Sequence, residues 1–267
     1  MDELIAQRLE VALRIADDAE GVVMDRYQAG DLKVEIKPDG SPVSEGDLAS
    51  HDVIARAVER AFPHDAILSE EAPLRSGTSG FRWVVDPIDG TSSYVRGVPL
   101  FAILIGIEHE GVPVAGVACL PALCERVWAS RESGAHWRRG DGSVVEARVS
   151  SVEDLGGAMV EAASPTAFLS RDLEREYLSL AGHAKKLRGW SEGAAFAFVA
   201  TGRVDAGVSV GMSRWDVAAY VPIVEGAGGR LTRWDGGAAV DGRRMIASNG
   251  LIHVALQALL NPAGRND

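Results

Sequence analysis

The stretch Trp83-Val84-Val85-Asp86-Pro87-Ile88-Asp89-Gly90-Thr91-Ser92-Ser93-Tyr94 constrains this chain more than any other. Trp83 to Val85 is a short apolar run and reads as a buried strand. It ends in two aspartates separated by a proline and an isoleucine, with a glycine after them. Pro87 has a fixed φ and no N–H, so the strand ends there and the chain turns. Asp89-Gly90 continues the turn, and Thr91-Ser92 can open a helix with backbone N–H groups to spare. Two carboxylates, the Ile88 carbonyl and a helix start are therefore expected close together. Hard divalent cations take oxygen ligands, and phosphates take helix N-termini. This one stretch offers both.

Asp-Gly by itself is ordinary turn chemistry. It recurs at Asp39-Gly40, Asp141-Gly142, Asp235-Gly236 and Asp241-Gly242, so the central copy is set apart only by its neighbours. Composition narrows the rest. A length of 267 residues with 46% hydrophobic content suits one large globular unit or two intimately packed ones. We place a division at 148/149, giving an α+β domain over 1–148 and an α/β domain over 149–267. The net charge of -11 speaks against a nucleic-acid or anionic-membrane partner, which would want a basic patch. It also means that an anionic substrate needs positive charge supplied locally, and bound metal is the simplest source. No apolar run reaches the ~18 residues of a membrane span. The start is acidic (Asp2, Glu3), so we expect a cytoplasmic protein. Cys119 and Cys124 make no disulfide framework and read as reduced thiols. His51, His64, His109, His136, His183 and His253 lack metal-ligand spacing and read as surface residues.

In chain order, residues 2 to about 28 form a long amphipathic helix with Ile5, Leu9, Leu13, Ala16 and Val23 on one face, with Gly30 as its stop. Residues 33–37 alternate like a ribbon. Ser44-Glu45-Gly46-Asp47 opens a second helix to about Phe62, its Ser-x-x-Asp resembling a capping box. Ala66 to Ser69 is a short strand that runs into Glu70-Glu71, and Ala72 to Gly80 reads as a mobile Ser/Gly-rich loop. Phe101–Glu108 and Val112–Leu120 form a buried hairpin turning at Glu110-Gly111. Strands follow at Arg126–Ser130 and Gly134–Trp137. The second half alternates: strands at 158–161, 185–187, 205–210 and 228–232, and helices at 172–181, 192–200, 216–225 and 251–260. Alternation of this kind implies an α/β sheet beside a more antiparallel first half. An aspartate at a helix start, as at Asp216, is in the first instance an N-terminal cap.

The string Asp86-Pro87-Ile88-Asp89-Gly90-Thr91 after an apolar strand resembles the signature of the inositol monophosphatase family of magnesium-dependent phosphomonoesterases. Trp215-Asp216-Val217-Ala218, followed by Glu225-Gly226-Ala227-Gly228-Gly229, resembles that family's second signature. The two lie about 130 residues apart, and matching landmarks run from the first helix to the last. The resemblance implies a layered αβαβα sandwich. It implies two or three Mg²⁺ ions, one held by Glu70, Asp86 and the Ile88 carbonyl, another by Asp86, Asp89 and Asp216. It casts Asp47 and Thr91 as the pair that orients the attacking water and takes its proton, with Glu70 beside them. Lys37 and the Ser44-x-x-Asp47 pattern also match family positions. Gly90, Thr91 and Ser92 are expected to bind phosphate oxygens. The small phosphomonoester substrate is expected to meet a homodimer.

Within the family, Tyr94-Val95-Arg96-Gly97-Val98-Pro99, Gly111-Val112-Pro113 and Leu187-Arg188-Gly189 look most like the bacterial histidinol-phosphate phosphatases. Glu192 falls where those enzymes have an aspartate, although a first-turn helix acid explains it as well. Arg188, Glu192 and Ser209 are thus candidate substrate residues. Ser209 departs from a substrate-contacting glutamate usual there, and Ser92-Ser93 from a pair ending in asparagine. Both departures bear on substrate and leave the metal set whole. Inositol 1-phosphate or another sugar or polyol phosphate is the second reading. A non-catalytic partner of transcription complexes, known among relatives, is the third.

Overall fold

The fold is that of a computed structural model, which describes residues 1–190 and 193–261. Asp2–Arg26 (α1) is followed by a small ribbon, Val34–Ile36 (β1) against Pro42–Ser44 (β2), and by Glu45–Ala61 (α2). Then come Ala66–Ser69 (β3), Ala72–Arg75 (β4), Phe81–Asp89 (β5), the single turn Thr91–Val95 (α3), Ala102–His109 (β6) and Val112–Leu120 (β7). Glu125–Ser130 (β8), Gly134–Arg138 (β9) and Val144–Glu146 (β10) complete the first sheet. The second half runs Met159–Ala162 (β11), Pro165–Leu169 (α4), Glu174–His183 (α5), Lys186–Arg188 (β12), Ala195–Ala200 (α6), Ala206–Val210 (β13), Arg214–Val217 (α7) and Tyr220–Gly226 (α8). Arg230–Arg233 (β14), Arg244–Ser248 (β15) and His253–Leu260 (α9) close it.

Two sheets and three helical layers alternate, as the expected αβαβα sandwich requires. The larger sheet has the order β10-β9-β8-β7-β6-β5-β3-β4, antiparallel except where β3 runs parallel to β5. The smaller has the order β12-β11-β13-β15-β14, parallel on one side of β13 and antiparallel on the other. α1 and α2 bury Ile5, Ala12, Ala16, Val23, Ile54 and Val58 against the outer face of the large sheet, where Trp83, Val85, Ile105 and Val117 wait. α6 and α8 fill the space between the sheets, with Phe196, Tyr220 and Ile223 packed on Leu104 and Val127 from one sheet and Leu231 and Met245 from the other. α5 and α9 cover the far face of the small sheet over Val160, Val208 and Ile246. Burial of this apolar surface is the main drive for the layering.

Local chemistry explains the boundaries. α1 ends at Arg26, short of Gly30, because Tyr27 turns extended (φ -62°, ψ 126°). The β6–β7 hairpin turns through Glu110 and Gly111, both at positive φ (49° and 77°), the type I′ geometry that matches strand twist. The segment expected to be a mobile loop is in part β4. It pairs with β3, and Arg75 donates to the carbonyls of Asp65 (2.8 Å) and Pro63 (2.9 Å). The helix expected over 216–225 is two pieces, α7 and α8, and the smaller sheet is mixed through β15, a strand the alternation pattern does not reveal.

The histidines correct another expectation. His253 is fully buried, its ring bonded at Nδ1 to Ser248 Oγ (2.8 Å) and at Nε2 to Thr232 Oγ1 (2.9 Å). Among the others, only His64 and His183 are plainly exposed. Cys119 is buried in β7 and Cys124 exposed, both as free thiols. Among the described residues no helix is long and apolar enough to cross a membrane.

Candidate active site

β5 is the spine of the site. In a regular strand, residues three apart point to opposite faces. Between Asp86, opposite Leu104, and Asp89, opposite Ala102, the register with β6 slips by one residue, and Pro87 sits in the slip. Such a bulge re-aims side chains, and here Asp86 and Asp89 both line one cleft of about 400 Å³. Gly90 follows at φ 88°, a left-handed conformation that glycine adopts without strain, and it starts α3 with Thr91 beside the carboxylates.

Glu70 arrives by parallel pairing. Ser69 lies opposite Val85, and the Glu70 N–H continues the ladder to the Val85 carbonyl (3.2 Å), which places Glu70 alongside Asp86. Asp216 comes from the far half of the chain on α7. Its approach depends on Gly106 and Gly116, paired in register on β6 and β7. A Cβ on Gly106 would lie 2.9 Å from the Ala218 Cβ, and one on Gly116 would lie 2.1 Å from the Ala219 carbonyl oxygen. The bare patch lets the α7–α8 backbone settle directly on the sheet, and with it Asp216.

The outcome is a cluster in which Glu70, Asp86 and Asp216 each offer an oxygen within 4.8 Å of the others. Asp86 is buried at 2% exposure. Burial first, then the neighbouring charges of Asp89, Glu70 and Asp216, push its carboxyl well above the usual carboxylate range. Carboxylates this crowded repel one another, and a bound cation removes the conflict. The donors are all oxygens, a set that suits a hard divalent ion.

Around the cluster, Lys37 reaches Glu70 Oε1 (2.7 Å) and Glu71 Oε1 (2.6 Å). Burial opposes the Lys37 charge, but hydrogen bonds and Coulomb attraction to the two glutamates outweigh it and raise its pKa. Asp47 caps α2 as the Ser44-x-x-Asp47 pattern implies. Its Oδ2 accepts from the Ser44 N–H (2.8 Å) and hydroxyl (2.6 Å), while Oδ1 accepts from Thr91 Oγ1 (2.9 Å). Burial raises the Asp47 carboxyl above its ordinary value, against those hydrogen bonds. Thr91 Oγ1 also stands 3.0 Å from the Ile88 carbonyl. Asp216 Oδ2 accepts from the Ser213 N–H (2.7 Å), so it caps its own helix as well as facing the cleft.

Of the residues singled out in the sequence, Glu70, Asp86, Ile88, Asp89, Gly90, Thr91, Ser92, Ser209 and Asp216 line the cleft, and Asp47 stands directly behind Thr91. Arg188 does not line it. That side chain is exposed on β12 and donates to the Leu187 carbonyl (2.9 Å). Glu192 lies outside the described residues. Among the lining residues that carry no mark in the sequence is Arg171, after α4, the only basic side chain among the described residues of the cleft wall. Its guanidinium packs against Gly211, where a Cβ would come within 2.2 Å of Nη2. No motif announces it, because only the fold brings residue 171 beside residue 211.

Comparison with known proteins gives a consistent result. A sequence model described as the inositol monophosphatase family matches residues 5–265. The chain is 36% identical over 253 residues to a histidinol-phosphatase of Mycobacterium tuberculosis, covering 95% of this chain and 97% of that protein. It is 39% identical over 257 residues to a histidinol-phosphatase of Streptomyces coelicolor, with 95% and 96% covered. Among solved structures, the extragenic suppressor protein suhB of Bartonella henselae superposes with a TM-score of 0.86 at 28% identity, over 96% of this chain and 98% of that one.

Proposed function

The chain belongs to the inositol monophosphatase family, and from that premise we propose that it hydrolyses histidinol phosphate to histidinol and phosphate with Mg²⁺ as its cofactor. The reaction class, phosphoric monoester hydrolysis, comes with the family and its metal dependence. The substrate and the ion are the proposal. The observation that carries the reaction is the oxygen cluster of Glu70, Asp86 and Asp216 at the mouth of the Asp86–Thr91 turn.

Glu70, Asp86 and the Ile88 carbonyl would hold one Mg²⁺, and Asp86, Asp89 and Asp216 another. Divalent ions so held would supply positive charge to the attacking and leaving oxygens of an in-line displacement. The protein's own part is positioning and proton transfer. Thr91, donating its proton to Asp47, turns an oxygen lone pair toward a water in the cleft. As that water attacks phosphorus, its proton passes to Thr91 and the Thr91 proton to Asp47, whose raised pKa suits it to accept. Meanwhile the bond from phosphorus to the ester oxygen breaks, and that oxygen leaves as the alcohol with a proton taken from solvent water. Gly90, Thr91 and Ser92 line the same cleft, and their backbone N–H groups would bind phosphate oxygens there. Lys37 neutralises Glu71 and shares Glu70, which limits repulsion at the rim.

For the substrate, two relatives named histidinol-phosphatase at 36% and 39% identity favour histidinol phosphate. Its ammonium and imidazole call for carboxylates, and Glu192 is the candidate by its place in the sequence. One observation favours the second reading, inositol 1-phosphate or another polyol phosphate: Arg171 on the cleft wall would repel an ammonium and welcome hydroxyls. Turnover of both esters by wild type and by Glu192→Gln separates the readings. Histidinol phosphate should lead in kcat/KM, and the substitution should cost it about ten- to a hundredfold, the worth of a charge-assisted hydrogen bond. Equal losses on both esters, or a preference for the inositol ester, would overturn the histidinol assignment. Absence of turnover on any phosphomonoester would favour a non-catalytic role beside transcription complexes.

A further inference from the structure

Glu108, on β6, is fully buried yet does not line the cleft. Its two oxygens go to arginines from distant parts of the chain. Oε2 accepts from Arg82 through Nε (2.7 Å) and Nη2 (2.5 Å). Oε1 accepts from Arg214 Nε (2.7 Å), and Arg214 Nη2 donates to the Gly111 carbonyl at the hairpin turn (2.7 Å). Arg82 lies on β5, the strand that ends in Asp86 and Asp89, and Arg214 is the first residue of α7, the turn that carries Asp216. One buried carboxylate therefore ties both carboxylate-bearing segments together.

α7 is four residues long, too short to fix its own direction by internal hydrogen bonds. Packing on Gly106 and Gly116 sets how near the backbone comes to the sheet, but apolar contact is non-directional. Arginine–carboxylate bonds are directional. A buried charge is costly unless it is paired, and each oxygen of Glu108 holds its own arginine. We propose that Glu108 is a positioning residue of the metal centre: through Arg214 it fixes where Asp216 stands relative to Asp86. The inference rests on the reading of these carboxylates as metal ligands.

Mn²⁺ binding followed by electron paramagnetic resonance, with Mg²⁺-dependent turnover beside it, tests the proposal. The proteins are wild type, Glu108→Gln, Arg214→Gln, the variant carrying both, and a control, Glu20→Gln, which loosens a different carboxylate–arginine cluster under α1. Glu108→Gln and Arg214→Gln should each weaken Mn²⁺ binding about tenfold or more, as changes behind metal ligands do. The double substitution should add little to either, because the two residues act as one device. Turnover of the single variants should recover to within a few-fold at saturating Mg²⁺. Glu20→Gln should lose thermal stability without a change in affinity. Arg214→Gln leaves the Arg82–Glu108 pair intact, so it carries the test if Glu108→Gln does not fold. Folded variants that bind Mn²⁺ like wild type would overturn the positioning role. A wild type that binds no Mn²⁺ would overturn the metal reading itself, a distinguishable result.

Discussion

Most of the proposed chemistry converges on Asp86, which is buried, stands beside Glu70 and Asp216, and shares a turn with Asp89. Asp86→Asn keeps the shape and removes the charge that would bridge two ions, so turnover should fall at least a thousandfold, equivalent to about 4 kcal/mol of barrier. Steady-state assays at saturating Mg²⁺ check this, and excess chelator should abolish wild-type activity. Thr91→Ala removes the hydroxyl between water and Asp47 and should cost about 10²–10⁴ in kcat with little change in KM, the range of general-base contributions. An unchanged kcat would exclude the relay. At this scale the sequence was legible where function is local. The Asp86–Thr91 string needs only its own turn to bring its groups together, and the Glu70 ladder needs one strand pairing. Asp47 and Asp216 also act with distant partners and were named only through the matched signatures, whereas Arg171 and Glu108 lie in no such motif and take their meaning from partners more than 25 residues away.

Strands and helices with one buried face were readable from their apolar spacing, and α1, α2, β6 and β7 fall within about two residues of expectation. The elements that escaped include β2, β4, β10 and α4, each short and with little periodicity to show. β15 escaped for another reason: its apolar run is only Met245-Ile246-Ala247, which helix and strand share equally. The same strand and α9 frame His253, whose burial no pattern signals. Burial, with a smaller push from Arg230, holds this imidazole down at about 4. The sign follows from the order of protonation. Unfolded chain takes the proton near pH 6.5, folded chain only near 4, so acid favours unfolding. The stability from a neutral His253 is complete above pH 6.5 and is lost as pH falls from there toward 4. Carboxylates titrate in the same region, so the difference between two proteins is the useful quantity. His253→Gln should melt lower than wild type at pH 7.5, and that gap should narrow by roughly 2–4 °C for each kcal/mol of linkage as pH drops to 5. Parallel curves would show that His253 does not titrate on unfolding.

Across the whole molecule, a chain with a net charge of -11 gathers Glu70, Asp86, Asp89 and Asp216 at one cleft between two halves that contribute unequally to it. Three of these residues come from the large sheet and its turns, and Asp216 comes from the far half. Without a cation the cluster is a source of instability, since like charges at short range in a partly buried site repel strongly. With one, the same cluster would bind the two halves together. Function and stability therefore pull apart in the metal-free protein and agree in the metal-bound one. Asp86→Asn exposes this directly. In chelator, the variant should melt a few degrees above wild type, because one of the mutually repelling carboxylates is gone. Mg²⁺ at about a hundred times its Kd adds ~2.7 kcal/mol to a protein that binds it only when folded. At roughly 2–4 °C per kcal/mol for a chain of this size, wild type should gain about 5–10 °C. The variant should gain much less, so the order of the two melting temperatures should invert as Mg²⁺ is titrated in. Calorimetric scans of both proteins across that titration decide the matter. If wild type melts higher in chelator as well, the carboxylates of the cluster are not in conflict, and the case for a resident cation loses its physical basis.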